Sequence, residues 1–119
     1  MLQHDKDACV QPPRAETIAQ LNDTLRKTGT GGTIVVTRSV TNLTGFNPAA
    51  LSAALAAYDG FDPDNDPHGE RDFGDLRLWD TDLLWKIDYY DADLQFGSDD
   101  PANSSMTQRV LTVMTTSDW

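Results

Sequence analysis

Basic side chains are scarce in this sequence. Its 119 residues carry nine Lys and Arg against 19 Asp and Glu, a formal net charge of -10. A protein that holds nucleic acid by its phosphates needs a net basic footprint, and docking on an anionic membrane needs the same. Neither fits, so we expect no direct nucleic-acid binding and no membrane partner. Cysteine is almost absent: Cys9 stands alone in a polar N-terminal stretch, which excludes an intrachain disulfide and fits a reducing compartment. Histidine is limited to His4 and His68, too few for a multi-imidazole metal site. No run approaches the ~20 apolar residues that span a bilayer, and Met1 to Pro13 lacks the apolar stretch of a secretory signal. A cytoplasmic protein is expected. Glutamate is the last scarcity, since only Glu16 and Glu70 accompany 17 aspartates.

What is present is enough for one domain. A 39% hydrophobic content with three Trp is too rich for wholesale disorder, and a chain of this length can bury roughly two thirds of its unfolded surface. Residues 1–12 read as a flexible tail and 13–119 as a single α+β domain. From Arg14 to Thr28, Ile18, Leu21 and Leu25 recur at helical spacing, with Gly29 as the stop. Gly29-Thr-Gly31-Gly32 is therefore a helix stop and turn. A phosphate cradle needs strand, loop and then helix N-terminus, and here the helix comes first. Thr33 to Thr37 is short and β-branched, hence a strand. Asn47 is a helix cap, Pro48 suits the first helical position, and Phe46 can staple onto Leu51.

Residues 59–74 are saturated with turn formers and read as a long loop. Leu76 and Leu78, then Leu83, Trp85, Ile87 and Tyr89, alternate with polar residues and predict a β-hairpin with one apolar face. Leu94 to Phe96 is read as an optional third strand of that meander. Met106, Val110, Val113 and Met114 keep helical spacing and predict a C-terminal helix, with Ser98, Ser104 and Ser105 among its capping residues. The expected architecture is thus a small antiparallel sheet of three or four strands with about three helices packed on it, in the order α-β-α-β-β-(β)-α.

The negative charge is localised. Residues 59–100 hold 14 acids against Arg71, Arg77 and Lys86, whereas the rest of the chain is nearly neutral. Within this segment, Asp62-Pro-Asp64-Asn-Asp66-Pro-His68-Gly69-Glu70-Arg-Asp72 supplies the alternating hard oxygens that a divalent cation such as Ca²⁺ needs. Neither EF-hand register fits. Starting at Asp62 puts Pro67 at the glycine position and Phe73 at the bidentate position. Starting at Asp64 places Gly69 and Asp75 well but sets His68 where an oxygen is required. The simpler reading is a loop whose carboxylates cap its own amides. Candidate ion ligands are Asp64, Asp66, Asp72 and Asp75. No cofactor other than such a cation is implied. The serines lack the strained strand-to-helix elbow of a hydrolase nucleophile, so no catalytic constellation emerges. On the hairpin, Lys86, Asp88 and Tyr90 form a second face, with Trp79 expected nearby. That face is either a protein-binding surface or the seat of a helix.

Three stretches together resemble a known family: Phe61-Asp-Pro-Asp-Asn-Asp-Pro-His-Gly-Glu-Arg-Asp-Phe-Gly74, Trp85-Lys-Ile-Asp-Tyr-Tyr-Asp91 and Arg109-Val-Leu-Thr-Val-Met114. With the helical stretch Ile18 to Gly29 they look like a small uncharacterised bacterial domain of unknown function, over roughly residues 14–116. The resemblance implies an alphaproteobacterial setting, on chromosomes, plasmids and integrated elements. It also implies that His often stands where this chain has Arg71 and an aromatic where it has His68, so a mechanism needing an imidazole at Arg71 does not carry over.

These features favour a non-enzymatic acidic binding protein, an inhibitor made by a mobile element against a host nucleic-acid-handling defence complex of the anti-CRISPR or anti-restriction kind. Its partner would be a basic protein surface such as the complex's nucleic-acid groove. The candidate contacts are Asp62, Asp64, Asp66, Glu70, Asp72, Asp75, Asp88, Tyr90, Asp91 and Asp93. The competing readings are a divalent-cation module on the 62–75 loop and, last, a small enzyme using carboxylates and His68.

Overall fold

A computed structural model describes residues 14–119. The tail read over 1–12, with His4 and Cys9, lies outside them. The chain forms α1 (Arg14–Thr28), β1 (Thr33–Val36), α2 (Arg38–Thr41), α3 (Pro48–Ala57), β2 (Phe73–Leu78), β3 (Thr81–Tyr90), β4 (Gln108–Thr115) and a closing 3-10 turn, Thr116–Asp118. This is an α+β fold, with four strands and three helices among the described residues, the numbers expected.

Local chemistry accounts for most of these boundaries. The Asn47 side chain accepts hydrogen bonds from the amides of Ala49 (2.9 Å) and Ala50 (3.2 Å), and Pro48 opens α3. Gly29 takes a left-handed φ of 76° and closes α1 on the Leu25 carbonyl. The β2–β3 turn puts Trp79 and Asp80 both in the left-handed region, the twist a two-residue hairpin needs. Its Trp79 ring turns back to meet Phe46 edge-on at 5.4 Å, so it does not lie on the open face beside Lys86 and Tyr90.

Strand order is β1-β4-β3-β2, with β4 antiparallel to β3 and parallel to β1. Two corrections follow. The sheet is mixed, and the segment from Met106 onward is a central strand instead of a terminal helix. Arg109, Leu111 and Val113 point to one side of β4 while Val110, Thr112 and Met114 point to the other. The residues that matched a helical period belong to both sets. Ser98, Ser104 and Ser105 consequently cap no helix; Ser98 instead bonds the Thr107 hydroxyl at 2.6 Å. Leu94 to Phe96 is likewise no strand but a tight turn, with a single bridge between Tyr90 and Gly97.

The core lies between the sheet and the helices. Leu83, Trp85, Ile87, Leu111 and Val113 meet Leu25, Val40, Leu51 and Leu55 there. Among the described residues no helix covers the opposite face. The C-terminal turn reaches its edge, where Trp119 packs against Phe73 at 5.4 Å and under the Lys86 ammonium.

Candidate functional site

Sheet topology brings the two longest loops together. The 58–72 connection enters β2 beside Ile87, whose amide donates to the Asp72 carbonyl, and the 91–107 connection leaves β3 at Tyr90 and enters β4 opposite it. Both loops therefore sit at the same end of the sheet. Ten of the 14 acids of the 59–100 segment lie in them, and the N-terminal half of α1 joins this end through Arg14–Asp100 and Arg71–Glu16 ion pairs.

The first loop is internally braced. The Asp62 carboxylate accepts from the amides of Asp64 (2.8 Å) and Asn65 (3.0 Å), Asn65 bonds back to the Asp62 amide and the Gly60 carbonyl, and Asp66 accepts from the Arg71 amide. These bonds are what a self-capping Asx-turn loop makes. Asp64 and His68 are exposed. The loop, with Glu16 and Arg71, borders an open cleft of about 520 Å³. Among the described residues no three His, Cys, Asp or Glu side chains converge on a common point that could hold a metal ion, so Asp64, Asp66, Asp72 and Asp75 are not gathered into one site. Asp75 stands on β2 opposite Leu84.

Beneath the loop lies a polar network that the sequence reading did not anticipate. Asn22 of α1, fully buried, donates to the Tyr89 hydroxyl (2.8 Å) and the Glu70 carbonyl (3.0 Å), and accepts from Arg109 Nε (2.9 Å). The Tyr89 hydroxyl donates to the Glu70 carboxylate at 2.8 Å. Burial pushes the Tyr89 phenol well above its ordinary value, so it stays neutral and remains a donor. Arg109, buried over the Tyr89 ring, also donates to the Pro101 carbonyl and so ties the second loop to the same network. Burial lowers its guanidinium below the usual range. Glu70, read as a partner contact, is a half-buried member of this network.

A second cluster adjoins it. Arg71, at φ 54°, clamps Asp23 with Nε and Nη2 at 2.9–3.2 Å. Asp23 also pairs with Arg26, whose buried guanidinium donates to the carbonyls of Leu55 (2.7 Å) and Tyr58 (3.1 Å), capping the C-terminal end of α3. Arg26 Nε has no acceptor among the described residues; its guanidinium lies 5.5 Å from the Phe61 ring centre. The signal for both clusters was Asn22 and Arg26, polar residues at i and i+4 on the face carrying Ile18 and Leu25. Arg109 was hidden by reading its segment as a helix.

Asp72 is half-buried. Burial, then the neighbouring charges of Glu70 and Asp66, raises its carboxyl above the ordinary value. Asp88 pairs with Lys86 at 3.0 Å on the open face, and Tyr90 is half-buried opposite Gln108. In the second loop Asp91 accepts from the amides of Asp93 and Gln95, leaving Asp93 exposed.

The fold and this site define a small α+β domain whose internally hydrogen-bonded, acid-rich loops share one end of a mixed sheet. A profile of the family described as "Protein of unknown function (DUF3768)" matches residues 36–118, and the chain belongs to that family. The match leaves out α1, which the sequence resemblance had included. No curated protein and no solved structure matches the chain. No helix among the described residues is long and apolar enough to cross a membrane.

Proposed function

We propose that this protein is a non-enzymatic acidic binding protein that captures a basic protein surface through the loop end of its sheet. The observation that carries the reading is the gathering of ten acids from two separate loops at one end. A concentrated field of one sign steers association with a basic partner and repels nucleic acid from the same groove. The braced Asp62–Arg71 loop supports this, because a preorganised surface loses little freedom on binding. With the alphaproteobacterial, mobile-element setting implied by the resemblance, the partner class is a cytoplasmic nucleic-acid-handling defence complex, and the protein is its inhibitor.

The test uses acids that the fold does not need. Asp59, Asp64, Asp93 and Asp99 are exposed, unlike Asp62 and Asp66, whose carboxylates hold the loop. Expressed in hosts carrying CRISPR or restriction systems, the wild-type protein should raise the plating of targeted phage. Changing these four to Lys should abolish that effect while preserving the fold. Plating that does not respond to the protein in any such host overturns the inhibitor reading.

A further inference from the structure

The β3–β4 connection exposes three large apolar side chains: Leu94 at 57%, Phe96 at 71% and Met106 at 39%. Single exposed hydrophobics are ordinary on any surface. Leu94 and Phe96 are different because the chain is held in place to present them. The Asp91 amide donates to the Phe96 carbonyl (2.8 Å), the Leu94 amide to the Asp91 carbonyl (3.0 Å), and the Asp91 carboxylate caps the amides of Asp93 and Gln95. Below, Gly97 bridges Tyr90 and the Ser98 amide donates to the Tyr89 carbonyl. Leu94 itself sits at φ 60°, the left-handed region where a branched side chain is strained and Gly or Asn is not. Strain and exposure both work against the folded state, and the described residues leave both side chains more than half exposed. Such a residue points to a contact outside the molecule.

We infer that the Leu94–Phe96 turn is the apolar anchor of the partner interface, inserting into an apolar pocket on a protein whose rim carries Lys and Arg. This deepens the acidic-binding reading above and rests on it. The rim chemistry follows from charge complementarity, since Asp91, Asp93 and Asp99 flank the turn. An apolar centre surrounded by charge is the usual division of labour at an interface: the anchor sets the lifetime of the complex, the rim its rate of formation and its salt dependence.

The test selects binders to the full wild-type chain from a random-peptide display library. It then measures the selected peptides against the Phe96→Ser, Leu94→Gly and Asp93→Lys/Asp99→Lys proteins over a range of NaCl. Peptides that combine Lys or Arg with aromatic or aliphatic residues are expected. Phe96→Ser should weaken them by at least about tenfold without changing the salt dependence. The Asp reversals should flatten the salt dependence. Leu94→Gly should weaken binding while melting no lower than wild type, a result that a purely structural role for Leu94 would not produce. Purely basic peptides that bind Phe96→Ser as tightly as wild type overturn the anchor and leave the acidic-binding reading standing. A selection that yields no basic peptides overturns both. Self-association of the wild type that Phe96→Ser abolishes assigns the turn to a second copy of this chain and overturns the basic partner.

Discussion

Some of the loop acids brace the fold and others are free to meet a partner, and Asp72 belongs plainly to neither group. Its carboxyl is raised because burial and the charges of Glu70 and Asp66 all disfavour the anion. The native state therefore holds a proton more tightly than the unfolded chain does. By linkage, stability falls as pH rises from the unfolded carboxyl value, about 3.9, through the raised native value, and the loss is complete above it. Asp72→Asn removes the charge and nearly keeps the shape. We expect it to melt higher than wild type at pH 7, with the gap closing as the pH falls into the carboxyl range. Melting curves of both proteins between pH 4 and 7 check this, and a gap that widens at low pH contradicts it. The outcome matters for function: Asp72 is a poor candidate for a partner contact, whereas exposed Asp64 and Asp93 stay good ones.

At the scale of elements, the close passage of β1 beneath α1 is set by one glycine. A Cβ on Gly32 would lie 2.5 Å from the Arg109 carbonyl oxygen and 2.9 Å from a Leu25 methyl. Gly32→Ala must push β1 away from β4 or α1 away from the sheet, at about 1–3 kcal/mol. Chemical denaturation should show that loss with an unchanged slope, while Gly31→Ala, with open space around it, pays only for its positive φ of 85°. The glycine run was legible as a turn, as were α1, α3 with its Asn47 cap, and the β2–β3 hairpin, because each carries a local signal. β4 was not. A half-covered strand alternates polar and apolar, but β4 lies between β1 and β3 and has Leu111 and Val113 on one face with Val110 and Met114 on the other. Apolar side chains on both faces erase the period of two and leave spacings that also suit a helix. The β-branched content of Val110, Thr112, Val113 and Thr115 was the remaining clue. The same error hid Arg109, and with it the network that fastens both loops. The Leu94–Phe96 turn escaped for another reason: apolar residues around one polar one read as a strand, and a left-handed leucine has no signature in sequence.

For the whole molecule, the -10 charge is a matter of placement more than amount. The near-neutral remainder and the paired residues Arg71–Asp23, Arg26–Asp23 and Arg77–Asp82 balance locally. The two loops at the shared end do not, since Asp59, Asp64, Asp93 and Asp99 are all exposed there. Like charges held together by the fold repel, and the unfolded chain relieves that repulsion by letting the loops separate. Salt screens it over about 10 Å at 0.1 M. The melting temperature should therefore rise from low salt to about 0.5 M NaCl, the reverse of a protein held by surface ion pairs. Replacing those four aspartates with Asn should raise the low-salt melting point by about 4 °C and remove most of the salt response. A sucrose series separates screening from the general stabilisation that excluded solutes give. If the quadruple variant melts at the wild-type temperature and keeps the full salt response, the acids are dispersed in solution. The acid-rich end then lacks the concentrated field on which capture of a basic partner depends.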